Sequence, residues 1–445
     1  MASPQANGLP ADVRVPDCFL KLVGDGLRRG ESAYGCRKLR DLPIADPAPR
    51  SEFLSRSAAI EIAAAALGLA LVVSAVLANQ RWLDRHFLPS WFLPPRWYVL
   101  IESSVRVTIA AAGVTLAFAR ARVRRVVASA GARILVSVLA GVLALGAGEL
   151  VLRRVHLRAA EWLVPDEEPR RQLDARLGWT FVPARTGHGT IGSRVVDYAF
   201  DAAGYRVRRV DEPVNPNRPA IVFVGESVMF GEGLTWEESV PAQVGAMLDI
   251  QSANLAVHGF GTDQAYMRLE TELPRFQQPV AVVSLFMTAL FGRNLDDDRP
   301  HLGPDLMWLP AEQQGRIVSL AALLVPYRTD ETVERGIRMT REVLGASVTL
   351  ARARGATPLI VVPHFGVEGE AERALRRRIL DDTQLPYVWI EIDDAWRLPW
   401  DRHPNAHAAH VMAAAIAARL RQPRGISPSG SRARSALESV GGGES

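Results

Sequence analysis

Apolar and polar positions follow three different rhythms along the 445 residues. Residues 57–152 carry long, almost unbroken apolar runs, and residues 160–218 are polar with scattered turn formers. From 220 onward, short apolar runs alternate with amphipathic stretches. The runs at 57–78, 97–119 and 133–152 each approach the roughly 20 residues that cross a hydrocarbon core, which predicts three transmembrane helices. Glu102 and Arg106 interrupt the second run four residues apart on one helical face. They are expected to pair inside the bundle instead of facing lipid. The segment 81–98 holds Trp82, Trp91, Trp97 and a Pro-Pro pair, the composition of an interfacial aromatic belt.

In the last part, candidate strands are 220–224, 253–257, 279–287, 357–363 and 386–392. The amphipathic stretches 239–249, 262–274, 331–354, 367–380 and 406–420 read as helices. Strands alternating with helices imply an α/β fold on a doubly wound parallel sheet. Within 160–218, the stretches 174–179 and 201–206 read as turns between short strands. The expected organisation is a disordered cytoplasmic extension (1–56), a three-helix membrane anchor (57–152), an α/β domain (160–421) and a disordered tail (422–445).

Charge sets the orientation. The net charge of +4 comes almost wholly from arginines that flank apolar runs or are scattered. They form no basic stripe, so a nucleic-acid partner is not expected. The short link Arg120-Ala121-Arg122-Val123-Arg124-Arg125 is dense in positive charge, which places it and the N-terminus in the cytoplasm. Arg153, Arg154 and Arg158 weigh the other way, but less densely. The α/β domain then lies outside the membrane. No basic region leads into an apolar one at residue 1, so a cleavable signal peptide is not expected. Both cysteines, Cys18 and Cys36, precede the first run, so the α/β domain carries no disulfide in any compartment.

Candidate chemistry gathers at strand ends. The run 220–224 leads into Gly225-Glu226-Ser227, and open α/β sheets bind ligands at the carboxyl ends of their strands. A serine becomes a nucleophile when a histidine, oriented by a carboxylate, takes its proton. Asp401-Arg402-His403-Pro404-Asn405 follows the last candidate strand. An aspartate two residues before a histidine can lie under the imidazole while the ring reaches the serine. Each motif alone is more simply a turn or a helix start, with Asp or Asn as cap. Their ordered occurrence at strand ends favours chemistry. The glycine spacing after Ser227 is not that of a G-x-S-x-G elbow. A metal reading of Asp401, His403, His407 and His410 is weaker, because no His-Glu-x-x-His is present. Asp296-Asp297-Asp298 is more simply a solvated loop than a cation cup. Neither a metal nor a cofactor is expected.

Three blocks carry a family resemblance: Gly225-Glu226-Ser227 with Gly231, then 254–264 with Asn254, His258 and Gly259, then 401–405. Over about residues 174–420 the chain resembles the SGNH/GDSL hydrolase family, most closely its membrane-tethered bacterial polysaccharide acyltransferases and esterases. The resemblance implies a flavodoxin-like fold with Ser227 as nucleophile, His403 as general base and acid, and Asp401 as its orienter. It also implies an oxyanion hole from the N–H groups of Ser227 and Gly259, completed by an asparagine from a third block. Two departures stand out. Glu226 replaces an aspartate, and the third block is stretched, so that Gly292-Arg293-Asn294 makes Asn294 the best match.

The implied function is a serine esterase or O-acyltransferase at the outer face of a bacterial inner membrane, acting through an acyl-serine on an ester of an exported glycan or envelope lipid. A transferase would take its acyl group from a partner, such as an acyl-donor or polysaccharide-export protein. The alternative is a glycan-binding scaffold with an incomplete oxyanion hole.

Overall fold

The computed structural model describes residues 50–87, 95–399, 401–422 and the strand 431–433. The extension expected over 1–56 and the tail expected from 422 fall almost wholly outside these residues. Four helices come first: α1 (Arg50–Leu77), α2 (Gln80–His86), α3 (Pro95–Phe118) and α4 (Arg120–Leu152). Of these α1, α3 and α4 are long and apolar enough to cross a membrane. α1 and α3 run antiparallel at close range, since a Cβ on Gly68 would come within 2.6 Å of the Gly113 carbonyl. Such small-residue contacts are how membrane helices let their backbones approach. Glu102 and Arg106 each reach the first helices instead of forming the expected pair. The Glu102 carboxylate accepts from Gln80 at 2.7 Å, and Arg106 Nε donates to the Ala75 carbonyl at 3.2 Å. The arginine-rich link is itself helical and begins α4, with a kink at Ala130. Its Arg124 pairs with Glu61, near the start of the apolar span 58–77 of α1, at 2.9 Å.

A short helix α5 (Ala159–Trp162) precedes strands β1 (Arg171–Asp174), β2 (Gly178–Phe181), β3 (Arg185–Ile191), β4 (Arg194–Phe200) and β5 (Arg206–Val207). Then follow β6 (Ala220–Val224), α6 (Ser227–Phe230), α7 (Val240–Leu248), β7 (Gln251–Asn254), α8 (Thr262–Glu272) and β8 (Pro279–Leu285). A 3-10 segment (Thr288–Leu295) leads to the small hairpin β9 (His301–Leu302) and β10 (Trp308–Leu309). The chain continues with α9 (Arg316–Leu324), α10 (Asp330–Ala353), β11 (Thr357–Phe365), α11 (Glu370–Arg376), β12 (Tyr387–Ile392), α12 (Ala406–Arg421) and β13 (Ser431–Ala433).

The main sheet has the order β13-β12-β11-β8-β6-β7-β5-β4-β3. It is parallel from β13 to β7, and β5, β4 and β3 extend it antiparallel. Counted along the chain, the strands β7-β6-β8-β11-β12 have the order 2-1-3-4-5, whose switch point lies between β6 and β8. β6 is buried on both faces, as a central parallel strand must be. Ile221 and Phe223 join a cluster with Val244 of α7 and Met412 of α12, whereas Val222 and Val224 join one with Ala265 and Leu269 of α8. Five apolar residues in succession therefore satisfy two helical layers at once.

β7 ends three residues earlier than the apolar run predicts. Beyond it, Leu255 and Val257 still donate to the Phe223 and Gly225 carbonyls, at 2.9 and 3.1 Å. The run continues as extended chain and ties its loop to the serine turn.

Candidate active site

The turn after β6 is built for close packing. Gly225 has φ +154°, and a Cβ there would lie 2.7 Å from that of Leu285, so glycine is required. Glu226 caps the next turn, its Oε1 accepting from the Val228 N–H at 3.1 Å. Gly231 ends the turn with φ +85°, with Arg206 Nη1 2.8 Å from where its Cβ would stand. Arg206 is itself buried and donates to the carbonyls of Phe230 and Gly231, both at 2.7 Å, and of Leu234 at 2.5 Å. Burial pushes its guanidinium down to about 10. Asn254 adds a further donor to the Phe230 carbonyl at 3.2 Å. The turn that carries Ser227 is thus clamped through its own backbone carbonyls.

From the other side, the loop after β12 brings in two side chains. Asp401 Oδ1 accepts from the His403 N–H at 2.7 Å and sits 2.5 Å from His403 Nδ1. His403 Nε2 lies 2.8 Å from Ser227 Oγ. Asn405 caps α12 by accepting from the Ala408 N–H at 3.0 Å, which fixes where the loop ends. Ser227, His403 and Asp401 therefore form one hydrogen-bonded chain.

A second carboxylate shares the serine. The Ser227 hydroxyl lies 2.5 Å from Glu226 Oε2, and Arg293 Nη1 lies 3.3 Å from that same oxygen. A hydroxyl has one proton to give. When it goes to Glu226, the contact at His403 Nε2 must be donated by the ring, which is then an imidazolium with Nδ1–H on Asp401. The electrostatics agree. Burial pushes His403 down, but the Asp401 hydrogen bond and the charges of Glu232, Asp401 and Glu226 outweigh it, leaving it raised above its ordinary value. Burial alone would raise Asp401, yet its bond to His403 holds it below the usual carboxylate range.

Glu232 and His258 lie beside this chain. Glu232 is buried and sits 3.1 Å from His258 Nδ1. The rings of His258 and His403 are 6.1 Å apart. Against the cost of burial, His258, His403 and Arg171 hold Glu232 at about 2, so it remains a fixed negative charge. Sequence reading passed over Glu232, Arg206 and Arg293 because each is a charged residue in a stretch that reads as surface loop. A charged residue close to a glycine-bounded serine was the one available signal, and it is weak.

Gly259 sits in the loop after β7 with φ +81°, packed where a Cβ would meet Leu163 Cδ1 at 2.8 Å. Its carbonyl accepts from Arg299 at 2.8 Å. Asn294 is engaged elsewhere. Its amide nitrogen donates to the hydroxyls of Thr262 and Thr340, both at 2.9 Å, and its oxygen accepts from the Thr262 N–H at 2.8 Å. Both amide hydrogens are spent on tying the 3-10 segment to α8 and α10. The residue expected to complete the oxyanion hole thus lines the crevice beside Gly225 and Glu226 with its amide already engaged, and its neighbour Arg293 reaches Glu226 in the serine's own turn.

The other candidates separate. His407 packs edge-on against Trp396, with ring centroids 4.3 Å apart, and His410 Nδ1 lies 2.7 Å from Gln243 Oε1. With His403 on the serine, the three histidines have three different neighbours. Asp296 pairs with Arg328 at 2.5 Å, Asp297 with Arg335 at 3.1 Å, and Asp298 accepts from the Ala159 N–H at 3.1 Å. That run is a hub of ion pairs. A crevice at the switch point is lined by Gly225 and Glu226 after β6, by Leu285, Phe286 and Met287 at the end of β8, and by Phe260. Ser227, next in the chain after Glu226, is 2 % exposed.

No protein-family profile matches the chain, and no curated protein matches it in sequence. Among solved structures it is similar to a protein described as a lipolytic member of the G-D-S-L family from Desulfitobacterium hafniense DCB-2. That match has 14 % identity and a TM-score of 0.29, over 45 % of this chain and 98 % of the other. It is also similar to an acetyl xylan esterase from the rumen bacterium Butyrivibrio proteoclasticus, with 12 % identity and a TM-score of 0.28 over 47 % of this chain and 65 % of the other. With TM-scores this low, the reading of the site rests on its own geometry.

Proposed function

We propose that this chain is a membrane-anchored serine esterase or O-acyltransferase of SGNH type, acting on an ester of an exported glycan or envelope lipid outside the inner membrane of a bacterium. The observation that carries this reading is the hydrogen-bonded chain Ser227–His403–Asp401, with 2.8 Å between Ser227 Oγ and His403 Nε2. Its position after the strand at the switch point supports it further.

In this reading neutral His403 takes the hydroxyl proton at Nε2 as Ser227 Oγ attacks the ester carbonyl. The carbonyl oxygen becomes an oxyanion facing the N–H groups of Ser227 and Gly259, with the Arg293 guanidinium as the third source of positive charge. When the intermediate collapses, the alcohol leaves with the proton from His403, and the acyl group stays on Ser227. A water or a sugar hydroxyl then gives its proton to His403 and takes the acyl group. The first outcome is an esterase, the second a transferase.

The ends of the membrane helices support the outward placement. The apolar span 58–77 of α1 and the helix α4 both run from the neighbourhood of the Glu61–Arg124 pair and finish on the side where the α/β domain is attached, with the arginine-rich link at the opposite end. A scaffold reading is favoured by one observation, the engagement of Asn294 away from the serine. Labelling of the full-length protein in detergent with a fluorophosphonate separates the two. Wild type should label and Ser227→Ala should not; an unlabelled, folded wild type would leave the scaffold.

A further inference from the structure

Helix α9 has nine residues and none is buried. Arg316, at its start, is its only charged residue. Val318, Leu323 and Leu324 are 57, 69 and 72 % exposed, and Val325 just past the helix is open as well. On an ordinary domain surface such a contiguous apolar face would be a liability. Its surroundings say what it meets.

The helix is fastened at both ends to the termini of membrane helices. At its start, the carboxylate of Glu149, one turn from the end of α4, accepts from the N–H groups of Arg316 and Ile317 at 3.1 and 2.9 Å. These are two of the donors a helix leaves unsatisfied at its N-terminus. Ile317 Cδ1 lies against Gly148, and the Arg316 guanidinium forms two 2.7 Å bonds to Glu161, just beyond α4. Past its end, the chain joins α2, which follows directly on α1. His86 Nδ1 lies 2.7 Å from the Arg328 carbonyl, and Tyr327 stacks on His86 and Trp82 at 5.3 and 6.0 Å between centroids. The exposed apolar face is therefore held between the end of α4 and α2, beside the exposed apolar residues Leu150 and Val151 of α4 and close to the end of α1. Trp82 and Tyr327 are the residue types that prefer a membrane–water interface.

We propose that α9 is an in-plane interfacial helix whose Val318, Leu323, Leu324 and Val325 insert into the outer leaflet, so that the lipid surface covers this face. At about 13 Å it is too short to span the membrane and suits an orientation parallel to it. The proposal rests on the membrane-anchor reading, and its test keeps the two apart.

The test is nitroxide labelling of the full chain in lipid nanodiscs, in a Cys18→Ser, Cys36→Ser background. Single cysteines would stand at Val318, Leu323, Leu143 in α4 and Glu342 in α10, and collision with oxygen and with a water-soluble nickel chelate would be compared. The positions are exposed, and a circular dichroism spectrum and thermal unfolding like those of the parent protein report that each variant is folded. Labels at 318 and 323 should collide with oxygen several-fold more than with nickel, as at 143, while 342 shows the reverse. Nickel access at 318 and 323 with oxygen preference at 143 would put the face in water and overturn the proposal alone. Access of neither reagent would mean a second copy or another protein covers it, and would also overturn it. Nickel access at 143 would overturn the anchor reading and this proposal together.

Discussion

Arg293 Nη1 lies 3.3 Å from Glu226 Oε2, the oxygen that also receives the Ser227 hydroxyl. A cation, a carboxylate and the candidate nucleophile therefore share one small network, and a hydroxyl that donates to Glu226 is not aimed at its base. A substrate carbonyl near Arg293 would compete with Glu226 for the guanidinium and release the hydroxyl toward His403. Several outcomes can be checked.

Loss of the triad members should be graded. Ser227→Ala and His403→Ala should each lower kcat on an activated acetyl ester by about a millionfold, and Asp401→Asn by about ten-thousandfold. Steady-state hydrolysis by the detergent-solubilised protein measures this. Equal, small losses in all three would rule out the serine mechanism.

The pH profile should report the raised His403. Catalysis needs the neutral ring, so the acid limb of kcat/KM should lie above the ordinary histidine value of about 6.5. Glu232→Gln removes a negative charge beside His403, which should lower that limb and raise relative activity in mild acid. For stability the sign is opposite. A raised pKa contributes fully below the unfolded value, and its contribution is lost as pH rises through the folded one. A limb that does not move in Glu232→Gln would remove Glu232 from the site's electrostatics.

Arg293 and Asn294 should separate cleanly. Arg293→Ala should cost about a hundred- to a thousandfold in kcat if the guanidinium faces the oxyanion, with partial recovery in Arg293→Lys. Asn294→Ala should leave kcat within about tenfold and instead lower stability by about 1–2 kcal/mol, through its lost bonds to Thr262 and Thr340. Kinetics paired with thermal unfolding decide it, and the reverse pattern would restore Asn294 to the hole.

Arg206→Met should be a folding defect. It keeps much of the volume but removes the guanidinium from the carbonyls of Phe230, Gly231 and Leu234, of which the first two keep a weaker donor in Asn254 and the Leu234 N–H, at a cost of about 2–4 kcal/mol. A denaturant titration with no shift would mean that water replaces the guanidinium.

The sequence made legible whatever depends on local pattern. The strand at 220–224 appears with unchanged ends because a doubly buried strand must be continuously apolar. Ser227, His403 and Asp401, which the structure brings into one hydrogen-bonded chain, were candidates because the serine closely follows a strand and the other two lie in the loop between the last candidate strand and the last helix. The engagement of Asn294 was not legible, since its partners Thr262 and Thr340 come from α8 and α10, 32 and 46 residues away along the chain. Nor was the engagement of Glu102 and Arg106, which share a helical face yet each find a partner on a neighbouring helix. Local spacing says which side chains can meet and is silent on competing partners brought by tertiary contact.

The attachment of residues 315–328 to both α2 and α4 has a mechanical consequence. A domain held by one chain crossing is a tether, free to sweep a hemisphere. One fastened at two separate exits is a mount, with a set height and tilt. Arg85 of α2 reinforces it by pairing with Asp330 at 2.5 Å. In the proposed membrane-anchored reading, the crevice would work at a set distance from the bilayer, and the esterase or transferase would select its ester partly by altitude, because the bond to be cleaved or made would have to be delivered to that plane.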